Sequence, residues 1–243
     1  MRRNWQRVLV KITGEAFCGE DGYGINPDAV GFVAEEIAGC VRLGKEVAVV
    51  VGGGNIIRGR EYSRRVGIGR STADYMGMLA TLINALALQD ALEAAGFETR
   101  VMSAIYAHQV AEPFIRRRAT RHLEKGRIVI LAGGTGNPYF STDTQAAIRA
   151  REINAQVFLK ATKVDGVYSA DPQKDSNATL FETMSYAQYL ELDLKVMDRV
   201  AVELCQRIGL PIVVFRYSEK GALANAASGR PIGTLITDLE TRQ

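Results

Sequence analysis

Five short runs rich in β-branched residues, at positions 8–12, 47–51, 127–131, 157–159 and 212–215, set the strongest limit on how this chain can fold. Apart from Lys11 and Arg127 they are apolar on both faces rather than alternating, as a strand is when both of its faces are covered. Strands of that kind belong to a parallel sheet with helices on either side. Helical signals fall between them. Asn26 and Pro27 give an N-cap followed by proline at the first helical position, and Val30, Val33, Ile37 and Val41 recur at helical spacing until Gly44. A second helix spans 72–95 and ends at Gly96; a third spans 111–124, before Lys125 and Gly126. Repeated strand–helix units predict an α/β fold, a three-layer αβα sandwich around a mainly parallel central sheet.

The second helix is apolar almost all round, through Met76, Met78, Leu79, Leu82, Ile83, Leu86, Leu88 and Leu92. Such a helix must be covered, within the protomer or by another subunit. Asn84, Gln89 and Asp90 interrupt it, so it falls short of the roughly 20 clean residues of a membrane span. At 243 residues, with 47% hydrophobic and 23% charged residues, the chain suits one globular domain with a single large core. A net charge of +3 fits small anionic substrates and is too weak to argue for nucleic acid. The arginines at 116, 117, 118 and 121 read as a solvated helix face. Cys18, Cys40 and Cys205 are odd in number and widely spaced, which argues against a disulfide framework or zinc site and for a reducing, cytoplasmic setting. The first seven residues lead into the first strand without the apolar core of a secretion signal.

Glycines, lysines and hydroxyls gather where strands end, the edge at which open α/β sheets bind ligands. Lys11, Ile12, Thr13 and Gly14 stand at the end of the first strand; Gly52, Gly53, Gly54 and Asn55, with Arg58 just beyond, follow the second. Gly133 to Asp143 follow the strand at 127–131, and Lys160 to Tyr168 follow the strand at 157–159, leading to Asp171. Glycine lets backbone N–H groups approach an anion, and a helix N-terminus behind it adds partial positive charge. Taken singly, each glycine-rich turn is also what a tight strand-to-helix connection requires. Together they suggest two phosphate-bearing ligands, and lysines from two loops could clamp the charge on a phosphoryl group in transit. Neither a GxxxxGK[ST] loop nor a GxGxxG fingerprint is present. His108 and His122 lack the spacing of metal ligands or of a triad.

Six segments in order carry a resemblance: Lys-Ile-Thr-Gly-Glu-Ala at 11–16, Gly-Gly-Gly-Asn at 52–55, Ala-Asp-Tyr-Met-Gly-Met-Leu-Ala-Thr at 73–81, Thr-Gly-Asn-Pro-Tyr-Phe-Ser-Thr-Asp at 135–143, Lys-Ala-Thr-Lys-Val-Asp-Gly-Val-Tyr at 160–168 and Leu-Lys-Val-Met-Asp at 194–198. Across nearly its whole length the chain resembles the amino-acid kinase superfamily, and within it the bacterial uridylate kinases. The resemblance implies an amino-acid kinase-like fold whose residues 1–155 form the UMP side and 156–243 the ATP side. It also implies transfer of the γ-phosphoryl of ATP to UMP, giving UDP and ADP for pyrimidine biosynthesis. Lys11, Lys163, Asp143 and Arg58 would then be catalytic. Lys11, Ile12, Thr13, Gly14, Gly54, Arg58, Thr162, Tyr168 and Asp171 would bind ATP. Gly53, Asp74, Thr135, Gly136, Asn137, Pro138, Tyr139, Phe140, Ser141 and Thr142 would bind UMP.

Further implications are Mg2+ carried by the nucleotide phosphates with no dedicated protein metal site, a homohexamer, GTP activation through Gly19, Glu20, Asp21, Gly22, Tyr23 and Gly24, and UTP inhibition. Thr13 stands where the family usually has serine, and Tyr75 where histidine is common. Two other readings stay open at this point: a kinase of the same fold acting on a carboxylate or carbamate, and a nucleotide sensor without turnover.

Overall fold

The computed structural model describes residues 4–57, 67–170, 172, 174–175 and 177–238. Among these residues the strands are β1 (Arg7–Ile12), β2 (Glu46–Val51), β3 (Thr99–Ser103), β4 (Glu112–Pro113), β5 (Ile128–Ala132), β6 (Val157–Thr162), β7 (Thr183–Met184), β8 (Ile212–Arg216) and β9 (Thr234–Ile236). They form one sheet in the order β4-β3-β5-β2-β1-β6-β8-β9-β7, parallel throughout except between β8 and β9. The α-helices are α1 (Pro27–Arg42), α2 (Arg70–Ala94), α3 (Arg116–Glu124), α4 (Thr142–Glu152), α5 (Tyr186–Glu191), α6 (Arg199–Ile208) and α7 (Ala222–Ala227). On one face α1 packs against α2 and α7; on the other α4 packs against α6, with α5 and α3 alongside.

Side chains of a strand point alternately to its two faces, and β1 supplies both layers in this way. Val8, Val10 and Ile12 join the core with Val33 and Ile37 of α1 and Leu88 of α2, whereas Leu9 joins Ala147 of α4 and Val202 of α6. Lys11 shares the face of Leu9 and therefore turns toward α4. β1 lies between β2 and β6, so the chain leaves it on one side and returns on the other. The strand order reverses there, and the carboxyl ends of β1, β2, β5 and β6 border a crevice.

The expected cap of α1 is formed: the Asn26 side chain accepts hydrogen bonds from the backbone N–H of Asp28 (3.0 Å) and Ala29 (3.1 Å). Two boundaries differ from expectation. The helix expected over 111–124 begins only at Arg116, because Glu112 and Pro113 pair with Met102 and Ser103 as the edge of the sheet, where the missing proline N–H is tolerated. β6 runs on to Thr162, so Lys160 lies inside the strand rather than after it.

The long apolar helix, α2, has 25 residues and the length and composition to cross a membrane. One side of it is built into the sheet edge: Thr81 Oγ1 accepts from the Gly133 N–H at 2.8 Å, and Asn84 Nδ2 donates to the Gly52 carbonyl at 2.7 Å. The opposite side carries Tyr75, Leu79 and Ile83, exposed by 44%, 52% and 49%. The protomer alone therefore leaves an apolar stripe uncovered.

Candidate active site

Lys11 and Lys160 are register partners on β1 and β6, and both face α4, whose first turn holds Asp143. Lys11 Nζ lies 3.1 Å from Asp143 Oδ1, and Lys160 Nζ bonds directly to Oδ2. All three are buried. Burial by itself would push the Asp143 carboxyl up, but Lys11 and then Lys160 outweigh it and hold the group well below the usual carboxylate range. Burial also draws the Lys160 ammonium down to about 8, only partly offset by Asp143. Two ammonium groups share the Asp143 carboxylate, and the Asp198 carboxylate behind it also acts on Lys160. Asp198 braces the arrangement. Its Oδ2 accepts from Ser141 Oγ (2.5 Å) and Thr144 Oγ1 (2.9 Å), its Oδ1 accepts from the Val200 N–H (3.1 Å) at the start of α6, and its own N–H points to Asp143 Oδ2 (3.4 Å).

The turns after β1 and β2 meet backbone to backbone. A Cβ on Gly14 would sit 2.5 Å from the Gly54 nitrogen, and one on Gly53 would sit 2.8 Å from the Gly77 carbonyl oxygen of α2. No side chain fits in either place, so the glycines let the two turns and the helix close up, with Ile12 and Thr13 leading into the contact.

Beside them opens a cleft of about 140 Å3 lined by Gly53, Gly54, Asp74, Gly134, Phe140 and Thr142, among others. A second cavity of about 430 Å3 shares Asp74 and Phe140 and reaches Ser141, Asp143 and Asp198. Asp74 is fixed from two directions: Arg70 Nε donates to both of its carboxylate oxygens at 2.9 Å, and the Tyr139 N–H donates to Oδ2 at 2.8 Å. Tyr139 meets that bond with φ of 75°, a left-handed conformation strained for a bulky residue. Thr135 and Asn137 close a small turn of their own, with the Asn137 N–H donating to Thr135 Oγ1 at 3.1 Å and the Gly136 N–H to the Gly133 carbonyl at 3.1 Å. Pro138 is half-buried, and Tyr139 and Phe140 stand exposed at the mouth.

Across the crevice, Thr162 closes β6 and its carbonyl accepts from the Tyr217 N–H at 2.9 Å. The Tyr168 hydroxyl donates to Asp165 Oδ2 at 3.0 Å, and Arg216 grips the same carboxylate with Nε at 2.5 Å and an NH2 group at 3.0 Å. Thr162 and Tyr168 line neither cavity described above. Lys163 is not brought together with Lys11 and Asp143. Its side chain is 59% exposed and paired with Glu15 at 3.0 Å, a hydrogen bond that raises its pKa. Gly19, Glu20, Asp21, Gly22 and Tyr23 form an exposed turn, and Gly24 anchors it. Arg58 and Asp171 lie outside the described residues.

Residues 6–216 match the amino acid kinase family. The chain is 53% identical over 232 residues to the chloroplastic uridylate kinase PUMPKIN of Arabidopsis thaliana, covering 96% of this chain and 68% of that protein. Its fold superposes with a TM-score of 0.94 on a UMP kinase from Bacillus anthracis, at 39% identity and 97% coverage of both chains. A UMP kinase from Ureaplasma parvum gives a TM-score of 0.90 at 35% identity, covering 98% of this chain and 100% of that one. The chain belongs to the amino acid kinase family, among the uridylate kinases.

Two residues of this uridylate kinase family site escaped the sequence reading. Lys160 sits in a quoted motif yet carried no assigned role; a lone lysine directly after the apolar run 157–159 was the available signal, and its place inside β6 opposite Lys11 comes from the sheet register. Asp198 closed a quoted motif, and its signal was weaker: an aspartate directly before an amphipathic helix reads first as a cap.

Proposed function

We propose that this chain transfers the γ-phosphoryl group of ATP to UMP, giving UDP and ADP in pyrimidine nucleotide biosynthesis. The carrying observation is the buried Lys11–Asp143–Lys160 cluster, set where the turns after β1 and β2 meet beside the cleft of Asp74. In a transferring phosphoryl group negative charge spreads over the equatorial oxygens, and catalysis is mainly positioning and cationic stabilisation. Lys11 supplies that cation, Asp143 aims it, and Lys160 offsets the charge of Asp143 so that Lys11 is not neutralised by it. Backbone N–H groups of Gly14, Gly53 and Gly54 hold the phosphates, and Arg58 assists them. Asp74 takes the ribose hydroxyls of UMP, while residues 135–142 take its uracil and phosphate. Thr162, Tyr168 and Asp171 hold ATP, so residues 1–155 form the acceptor side and 156–243 the donor side of one domain. Lys163 acts through its partner Glu15.

The nearest carboxylates are engaged, Asp143 by two lysines and Asp198 by Ser141 and Thr144. Among the described residues no three acidic, thiol or imidazole groups converge. That donor set suits Mg2+ carried chiefly by the nucleotide phosphates, whose charge it would neutralise when bound. The exposed stripe of α2 supports a homo-oligomer, and we assign it as a hexamer. The turn at 19–24, tied to the 52–55 turn by Asn55, supports GTP activation there, with UTP as the inhibitor. Three free, buried cysteines support a reducing, cytoplasmic setting.

The test is ADP release from ATP and Mg2+ with UMP, CMP, AMP, glutamate, aspartate or carbamate offered singly. UMP is expected to be strongly preferred, because polar groups that read one base are left unpaired by another. Equal turnover of CMP or of a carboxylate defeats the reading. Lys11→Met, which keeps most of the side-chain volume, is expected to lower UMP turnover by ~100- to 1000-fold in single-turnover measurements while UMP binding changes far less.

A further inference from the structure

Asn55 and Asn84 are 1% and 0% exposed and form a reciprocal amide pair: Asn84 Nδ2 donates to Asn55 Oδ1 at 2.7 Å, and Asn55 Nδ2 donates back to Asn84 Oδ1 at 3.0 Å. Each nitrogen also donates outward, Asn84 to the Gly52 carbonyl and Asn55 to the Gly24 carbonyl, both at 2.7 Å. The Asn55 carbonyl in turn accepts from the Gly24 N–H at 2.9 Å. Two leucines would fill the same space without the demand that buried amides be fully paired. What the amides add is direction.

The 52–54 segment is all glycine and has no side chain to steer its peptide planes. The Gly52 carbonyl and the Gly53 N–H belong to one rigid trans peptide unit, so a bond that fixes the first fixes the direction of the second. Gly53 lines the cleft, whereas Asn84 does not. The Asn55 side chain also lies against the turn after β1, its Oδ1 only 2.7 Å from where a Cβ on Gly14 would be. Asn84 is carried by α2, the helix that also carries Asp74, ten residues or roughly 15 Å nearer the helix start. One rigid helix thus sets the separation between the cleft carboxylate and the glycine turn.

We propose that Asn84 is a positioning residue for phosphoryl transfer, acting through the Gly52 carbonyl and Asn55 to aim the N–H groups of the 52–55 turn. The inference rests on the kinase reading above. It is tested by steady-state kinetics with ATP and UMP on wild type, Asn84→Leu, Asn84→Ser, Asn55→Leu and the Asn55→Leu/Asn84→Leu double variant. Misaiming a phosphate-holding turn is expected to lower kcat by about 10- to 100-fold with KM for both nucleotides within about twofold, because the base and ribose contacts lie elsewhere. The double variant is expected to be no worse than the more damaging single one, since both remove one device; independent defects would multiply. A folded Asn84 variant with kcat within about twofold of wild type, a loss expressed wholly in KM, or a multiplicative double variant overturns the proposal. Should neither Asn84 variant fold, NMR order parameters of the wild type decide: backbone N–H vectors at 53–55 as ordered as those of β2 without nucleotide support preorganisation, and vectors that become ordered only on nucleotide addition overturn it. A wild type that turns over UMP beside indifferent variants sinks only the positioning role; a wild type inert toward UMP sinks the kinase reading and this inference with it.

Discussion

At the scale of single residues, the charge state of Lys160 gives the site a pH dependence. Its folded pKa of about 8 lies below its ordinary 10.5, so between those values the folded protein binds fewer protons than the unfolded chain. Stability contributed by this group therefore rises with pH across that window. Activity is expected to run the other way: kcat/KM for ATP falls as pH climbs through about 8 and the cluster loses one of its two cations. Under saturating ATP the fall shifts to higher pH, because bound phosphates favour the protonated lysine. Parallel pH profiles of kcat/KM and urea denaturation check this, and an alkaline limb that survives intact in Lys160→Met rules out the assignment. The gathering of Lys11, the glycine turns and the 135–142 loop at one edge of the sheet was legible in the sequence, because glycine, lysine and hydroxyls cluster there just after the apolar runs. Lys160 was not, because the strand was ended at Leu159; three more strand residues put it in register with Lys11. Lys163 took the expected role instead, yet residues three apart along an extended chain face opposite ways, and Glu15 receives it.

At the scale of elements, α1 depends on a cap that the sequence announced. Asn26→Ala removes the acceptor for two backbone N–H groups and is expected to cost ~1 kcal/mol, lowering Tm by roughly 2–4 °C in a chain of this size. Calorimetry reads it, and an unchanged Tm would mean that α1 is held by packing alone. The central strands were legible because β1, β2 and β8 each hold at least three successive apolar residues covered on both faces. β3, β4, β7 and β9 were not. β3 opens with Thr99 and Arg100 and ends with Ser103, leaving only Val101 and Met102 apolar, and β4, β7 and β9 at two, two and three residues are shorter than the four or so over which a strand pattern is read. The edge position of β4 also reconciles a proline with a strand, a fact of sheet order that local sequence does not contain.

At the scale of the whole molecule, the exposed side of α2 that carries Tyr75, Leu79 and Ile83 is the surface on which the proposed homo-oligomer is tested. Light scattering is expected to give a multiple of 26.5 kDa, and Leu79→Glu combined with Ile83→Glu to shift the mass toward that single value. A wild type monodisperse at 26.5 kDa would contradict the assembly. The place of β1 in the sheet has a further consequence, in the making of the chain rather than its working. β2 can pair with β1 early, but the other neighbour of Val8 is Val157, far downstream. At ribosomal speeds of about 5–20 residues per second, a nascent chain waits on the order of ten seconds between the two. Throughout that interval one edge of an apolar strand stands open, the condition under which strands find the wrong partner. β1 acquires its last neighbour late, and overcrowded expression at high temperature should injure this protein during synthesis more than after it.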